Sequence, residues 1–391
     1  MLLTLVTFLF VLSLLVLVHE GGHFLAAKKA GIRVEEFGLG YPPKIFAKKI
    51  KGTIYSLNAI PFGGFVRLLG EELEESSKFK VQSSKFSFVA KSKKARALVI
   101  VAGVTANFLL AILAFSVIYV VSGIPTKTAL VKVVGVLSDS PAQQAGIKEG
   151  DVILAVDEEK IDNLEKFTNL VKEKSEQQIR MTLARAVANP CAAKVFGGGT
   201  GFSCQDGNLM LWLTPRSSPP DGQGPLGVVV SDVEMKKYPF WQMPLRGLAE
   251  GAKETFGWVK LTLTGLGTML SDLFRHGAVP KDMAGPVGIL QISGLAAQSG
   301  FWAVLQLIGI LSVNLAVLNI LPFPALDGGR LVFIVYEAVF RRRPKASFEQ
   351  VINTAGMALL LFLITLVTIN DIGRILEANN FLSRLRTLWP F

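Results

Sequence analysis

The chain has 391 residues, half of them hydrophobic, with 41 lysines and arginines against 30 acids, a net charge of +11 and two cysteines. A mean hydropathy of +0.45 excludes an ordinary soluble enzyme, and two cysteines exclude a fold built on disulfides. A basic chain also suits nucleic acid, but here the positive charge gathers beside apolar runs, so it reads as a membrane-orientation signal and no nucleic-acid partner is expected.

Four runs have the roughly 20 apolar residues needed to cross a bilayer. The first, Leu2 to Val18, has no basic start and no small-residue cleavage site, so it reads as a retained span rather than a secretory signal. It runs directly into His19-Glu20-Gly21-Gly22-His23. Charged and metal-binding side chains are costly in lipid and mark function there. On a helix, residues four apart share a face, so the two imidazoles can hold one Zn²⁺ with Glu20 beside them as general base.

Fifteen basic residues, from Lys28 to Arg96, stand against six glutamates before the second span, Ala97 to Val121. That bias puts the segment on the cytoplasmic side. Within it Thr53, Tyr55 and Leu57 alternate, and Gly63-Gly64 reads as a closing turn. The expectation is a membrane-associated β-hairpin near the metal, whose free edge at Tyr55, Ser56, Leu57 and Asn58 pairs with a substrate strand. A plain cytoplasmic hairpin is the alternative.

Composition changes after Gly123. In SPAQQAGIKEGDVILAVDEEKIDNLEKFTNLV, Ser140-Pro141 starts a short helix and Gly146 stops it. Val152, Leu154 and Val156 then alternate as a strand, and Leu164, Phe167 and Val171 recur at helical spacing. This α+β region, about 126–233, resembles a PDZ domain. Such a domain either takes a peptide end as an added strand or only shields the site. Cys191 and Cys204 flank a glycine-rich insertion, and outside the cytoplasm a disulfide between them is favoured over two free thiols.

Residues 240–300 follow as a linker. Leu245, Leu248, Ala252, Phe256, Val259, Leu263, Leu266 and Leu270 fall three or four apart, the pattern of an amphipathic helix lying on the membrane surface. The third span, Phe301 to Leu321, carries Asn314 and Asn319, and is followed by Pro322, Pro324 and Asp327. Prolines free backbone groups that lipid cannot satisfy, so a break there lines a protein cavity. Arg330, Arg341, Arg342, Arg343 and Lys345 precede the fourth span, Val351 to Ile369, and place that connection in the cytoplasm too. Both termini and the middle domain are then extracytoplasmic.

A catalytic zinc takes three protein ligands and keeps one open position. His276, in a polar loop, is one candidate for the third ligand, and Asp327 is the better one. At 1.5 Å per residue, His19 lies about 25 Å and Asp327 about 39 Å along spans that run the same way, before any break shortens the second path. Both therefore approach the cytoplasmic face.

HExxH at the end of a first span, NILPFPALDGG after a third and a PDZ-like domain between them resemble the site-2 protease family. The closest likeness is to the bacterial zinc proteases that cut anti-sigma factors in the membrane. The resemblance implies that His19, His23 and Asp327 bind one Zn²⁺ per chain and that Glu20 activates water. It also implies that Asn319, Pro322 and Pro324, with Asn314 nearby, shape the site beside the substrate. The expected fold is a polytopic α-helical membrane protein of two membrane halves, 1–123 and 301–391, with an inserted PDZ domain. The expected partners are the bilayer of a bacterial cytoplasmic membrane, single-span protein substrates and a peptide end at the PDZ domain. The rival readings are a catalytically idle scaffold, for which Glu20 has no use, and a metal transporter, which needs ionisable residues along a whole path.

Overall fold

The computed structural model describes residues 1–71, 84–185, 202–205, 208–220, 223–276 and 284–378. They form two units, residues 1–122 with 239–391, and residues 123–238. In chain order the first unit begins with α1 (Leu2–Lys29), then β1 (Val34–Ile50), β2 (Thr53–Leu68) and α2 (Lys93–Ser122). The second holds β3 (Ile124–Val136), α3 (Pro141–Gln144), β4 (Val152–Val156), β5 (Glu159–Lys160), α4 (Leu164–Glu173), β6 (Ile179–Ala184), β7 (Phe202–Gln205), β8 (Asn208–Leu213) and β9 (Val228–Lys236). The first resumes with α5 (Met243–His276), α6 (Pro286–Ser299), α7 (Phe301–Ile320), α8 (Asp327–Phe340) and α9 (Ala346–Ala378).

Among the described residues four helices are long and apolar enough to span a membrane: α1, α2, α7 and the 347–374 part of α9. Their outward surfaces carry exposed Leu3, Leu113, Phe301 and Phe362, the expected pattern where the solvent is lipid. Two apolar clusters hold the bundle. Val11 and Leu15 of α1 meet Ile308 of α7, and Ala111 and Phe115 of α2 meet Val313 and Val317 of α7.

The sheet of β1 and β2 differs from the expected hairpin. Its tight turn is at Lys51-Gly52, where both residues take positive φ, and Gly63-Gly64 lies inside β2. Tyr55 faces both Phe37 and Lys48, Ser56 both Gly38 and Ala47, and Leu57 both Leu39 and Phe46. These residues therefore occupy the interior of the sheet. Ser56 Oγ donates to Glu36 Oε1 at 2.7 Å and Asn58 Nδ2 to Gly40 O at 2.9 Å, so these two donors serve the sheet itself. Gly64 to Arg67, by contrast, pairs among the described residues only with the Glu36–Leu39 side.

The second unit is a seven-stranded sheet in the order β7-β8-β6-β4-β3-β9, with β5 on β4. The helix start at Ser140 forms as the sequence predicts, its hydroxyl accepting from the Gln143 N–H, and Asn163 caps α4 in the same way by accepting from the Lys166 N–H. The strand reading needs one correction. Ile153 and Val156, rather than Val152 and Leu154, reach the core, because a register shift between Ile153 and Ala155 lets both turn inward. Cys191 lies outside the described residues, as does the side chain of Cys204.

Helix α5 covers the stretch in which apolar residues recur three or four apart. Leu245, Leu248, Phe256, Leu263 and Leu270 are exposed, while Gly247 and Gly251 press on α2. A Cβ at Gly251 would stand 2.4 Å from Ser116 Oγ, and one at Gly247 2.4 Å from Val120 Cγ2. Small residues four apart let two helix backbones close up, the usual device where water supplies no driving force. Val259 and Leu266 of the apolar stripe pack against the same α2–α7 cluster, so the helix docks on α2 while other leucines of the stripe face outward.

Candidate active site

His19 and His23 sit one turn apart on α1, with ring centroids 4.7 Å apart and planes at 86°. Two glycines let α2 come close to them. A Cβ at Gly22 would stand 2.4 Å from Ala102 O, and one at Gly103 2.3 Å from His23 Nε2. That approach puts Val99 O 2.8 Å from His23 Nδ1. A carbonyl can only accept, so Nδ1 carries the proton and Nε2 presents its lone pair. Asn107 Nδ2 stands 3.4 Å from His19 Nδ1, its buried Oδ1 has no hydrogen-bond partner among the described residues, and exchanging the two amide atoms gives that oxygen one. Oriented with that oxygen accepting from Nδ1–H, Asn107 leaves His19 Nε2 bare as well.

Asp327 arrives from the other half of the chain. Helix α7 stops at Ile320, Leu321 to Leu326 turn sharply, and α8 starts at Asp327. Ala325 takes φ +72° within this break. A Cβ at Gly328 would stand 2.0 Å from Leu321 O, and one at Gly329 2.4 Å from Phe323 O, so the turn admits only glycine. The break lets Asp327 start a new helix beside the histidines. Pro324 packs on Gly356 of α9.

Asp327 Oδ2 lies 3.1 Å from His19 Nε2 and 3.2 Å from His23 Nε2, and the two Nε2 atoms are 3.2 Å apart. The cluster is the one group of metal-capable side chains found among the described residues. Ligands at about 2.0–2.1 Å from a tetrahedral Zn²⁺ stand about 3.3 Å from one another. The donor triangle therefore has the right size and chemistry for one such ion. Its buried Oδ2 has no hydrogen-bond partner, and three lone pairs this close repel unless a cation lies among them.

Glu20 joins these three in lining a cavity of about 790 Å³ that extends past Phe65, Arg67, Glu71 and Arg330. The close approach of Gly64 to Val16 and Glu20 keeps β2 against α1 here. Asn319 Nδ2 lies 3.3 Å from His19 Nε2. Asn314 is elsewhere: its Oδ1 accepts from Thr262 Oγ1 of α5 at 2.7 Å, so it ties helices together. His276 ends α5, and its side chain lies outside the described residues. Sequence reasoning missed the support from Val99 and Gly103. Asn107, a lone amide in an apolar run, was the available signal.

The sequence pattern described as peptidase family M50 matches residues 7–363. A protein of Clostridium perfringens, provisionally named a zinc metalloprotease, is 37% identical over 361 residues, covering 92% of this chain and 96% of that one. A similarly named protein of Agrobacterium fabrum is 34% identical over 383 residues, covering 95% and 96%. The regulator of sigma-W protease RasP of Bacillus subtilis is 27% identical over 447 residues, covering 95% and 99%.

Proposed function

The chain belongs to peptidase family M50, and from that premise we propose that it cuts a single-span membrane protein within or near the bilayer, using His19, His23 and Asp327 as ligands of one zinc. The observation that carries this reading is the donor triangle of 3.1 to 3.2 Å edges inside a span-bearing unit. Zinc held there supplies Lewis acidity, polarising the scissile carbonyl and acidifying water.

The chain's own groups do the rest. Glu20 takes the proton of the attacking water and delivers it to the leaving amine. The backbone of Gly64 to Arg67, unpaired on its outer side among the described residues, receives the substrate as an extended strand, which exposes the amide that a helix hides. Asn319 holds that strand beside His19. Pro322 and Pro324 keep the backbone irregular where the substrate must pass. The PDZ-like unit sits outside the cytoplasm of a bacterium, and its end strand β9, paired among the described residues with β3 alone, accepts the new end of a trimmed substrate.

Glu20→Gln in the full chain tests the assignment, with zinc content and cleavage of a single-span substrate measured together. Retained zinc with cleavage reduced about 10²- to 10⁴-fold is expected of a lost general base. Undiminished cleavage rejects that role.

A further inference from the structure

Helix α2 touches both imidazoles of the donor triangle. Arg96, Val99, Gly103 and Asn107 are all buried, and their spacing of three, four and four puts them on one helical face. Val99 holds His23, Gly103 makes room for its ring and Asn107 meets His19. Arg96, at the base of the same stripe, reaches α8: its Nη2 donates to Glu337 Oε2 at 2.6 Å, with the two side chains 7% and 11% exposed. Lys93 Nζ donates to the Glu337 carbonyl at 3.1 Å, and Arg343 Nε to Glu337 Oε1 at 3.2 Å. Arg343 also donates to Val89 O at 2.8 Å.

Near its start α8 is held by Gly328 and Gly329 against the preceding turn and by the Arg330–Glu71 ion pair, and in its middle by Leu331 and Ile334, so the Glu337 pair is what fixes its far end. Ile334 is its one buried apolar side chain, while Val335, Tyr336, Val339 and Phe340 are exposed. Its first residue is Asp327, and Glu337 lies ten residues on, about 15 Å along the same rod. Burial works to raise the Glu337 carboxyl, but the hydrogen bonds from Arg96 and Arg343 prevail and keep it ionised.

We propose that Arg96 and Glu337 are positioning residues: their buried pair clamps the far end of α8 to α2 and so sets the distance between Asp327 and the two imidazoles that α2 already orients. The pair acts through Asp327 and touches no substrate. This inference rests on the metal-centre reading above.

The test measures zinc affinity of the purified full chain by competition with a chromophoric chelator. Arg96→Met and Glu337→Gln are each made in two backgrounds, wild type and Asp327→Asn. Each is expected to weaken zinc about tenfold or more in the wild type, the usual cost of losing an outer support of a ligand. Neither should weaken it further once Asp327 is gone, and Arg96→Lys should recover part of the loss. Unchanged affinity in both variants, or equal losses in both backgrounds, overturns the proposal, since a clamp that merely stabilises the bundle acts whatever stands at position 327. If Arg96→Met does not fold, Glu337→Gln decides. Asp327→Asn that binds zinc as well as the wild type overturns the metal-centre reading instead, and the clamp with it.

Discussion

Gly103 shows how little freedom single residues have around the cluster. With a Cβ 2.3 Å from His23 Nε2, Gly103→Ala must move either the ring or the helix, and both break the bond to Val99. Zinc affinity should fall at least tenfold in equilibrium dialysis while the helical content stays unchanged. The same competition measurement on Asn107→Leu separates orientation from packing: the side chain fills the space but cannot hold the His19 tautomer, so affinity should drop by a similar factor. In the second unit Arg185 Nη2 meets Asp151 Oδ2 at 2.6 Å, and the two side chains are 8% and 1% exposed. Removing one member of so buried a pair strands the other. Arg185→Met is expected to destabilise that unit by about 3 kcal/mol, read from denaturant unfolding followed by limited proteolysis.

Among the elements, those that obey one local rule were legible in the sequence. The HExxH pair follows from helical spacing, α3 from its start at Ser140-Pro141, α4 from the recurrence of Leu164, Phe167 and Val171, and the four long apolar helices from length. The elements that escaped are settled by partners distant in the chain. Tyr55 reads as an edge because nothing in its own stretch reveals that Phe37 and Lys48 flank it. Helix α5 is legible from its repeating leucines, but its contact with α2 through Gly247 and Gly251 is not, because two glycines in a sequence name no partner. Gly251→Leu should therefore disturb folding far more than Leu248→Ser, which changes an exposed position. Small-to-large substitution at such a contact costs about 1–3 kcal/mol, measurable as a lower temperature of aggregation in detergent. At the cavity, proline placed at Phe65 and Val66 in turn should impair cleavage without loss of zinc, because one of the two removes an outward N–H from the substrate-pairing edge.

At the scale of the whole molecule, the chain divides its tasks between a span-bearing unit that holds the donor triangle and a sheet-built unit resembling a PDZ domain. The two should respond to pH separately. In the sheet-built unit, burial works to raise the Asp157 carboxyl, but bonds from the Arg180 N–H and the Lys174 ammonium prevail and hold it below its ordinary value. A carboxyl lowered by folding stabilises the fold above its unfolded pKa of about 3.9, and that contribution disappears as pH falls through the lower folded value. Asp157→Asn should thus lower the unfolding midpoint at neutral pH and match the wild type in strong acid, without altering zinc content. The central claim concerns the other unit, that His19, His23 and Asp327 together hold one zinc. Zinc-edge X-ray absorption on the purified full chain tests it most directly. The predicted result is one zinc per chain with two imidazole nitrogens and carboxylate oxygen in its inner sphere, the oxygen contribution changing in Asp327→Asn. A chain that retains no zinc, or a spectrum identical with and without the Asp327 carboxylate, would contradict the account.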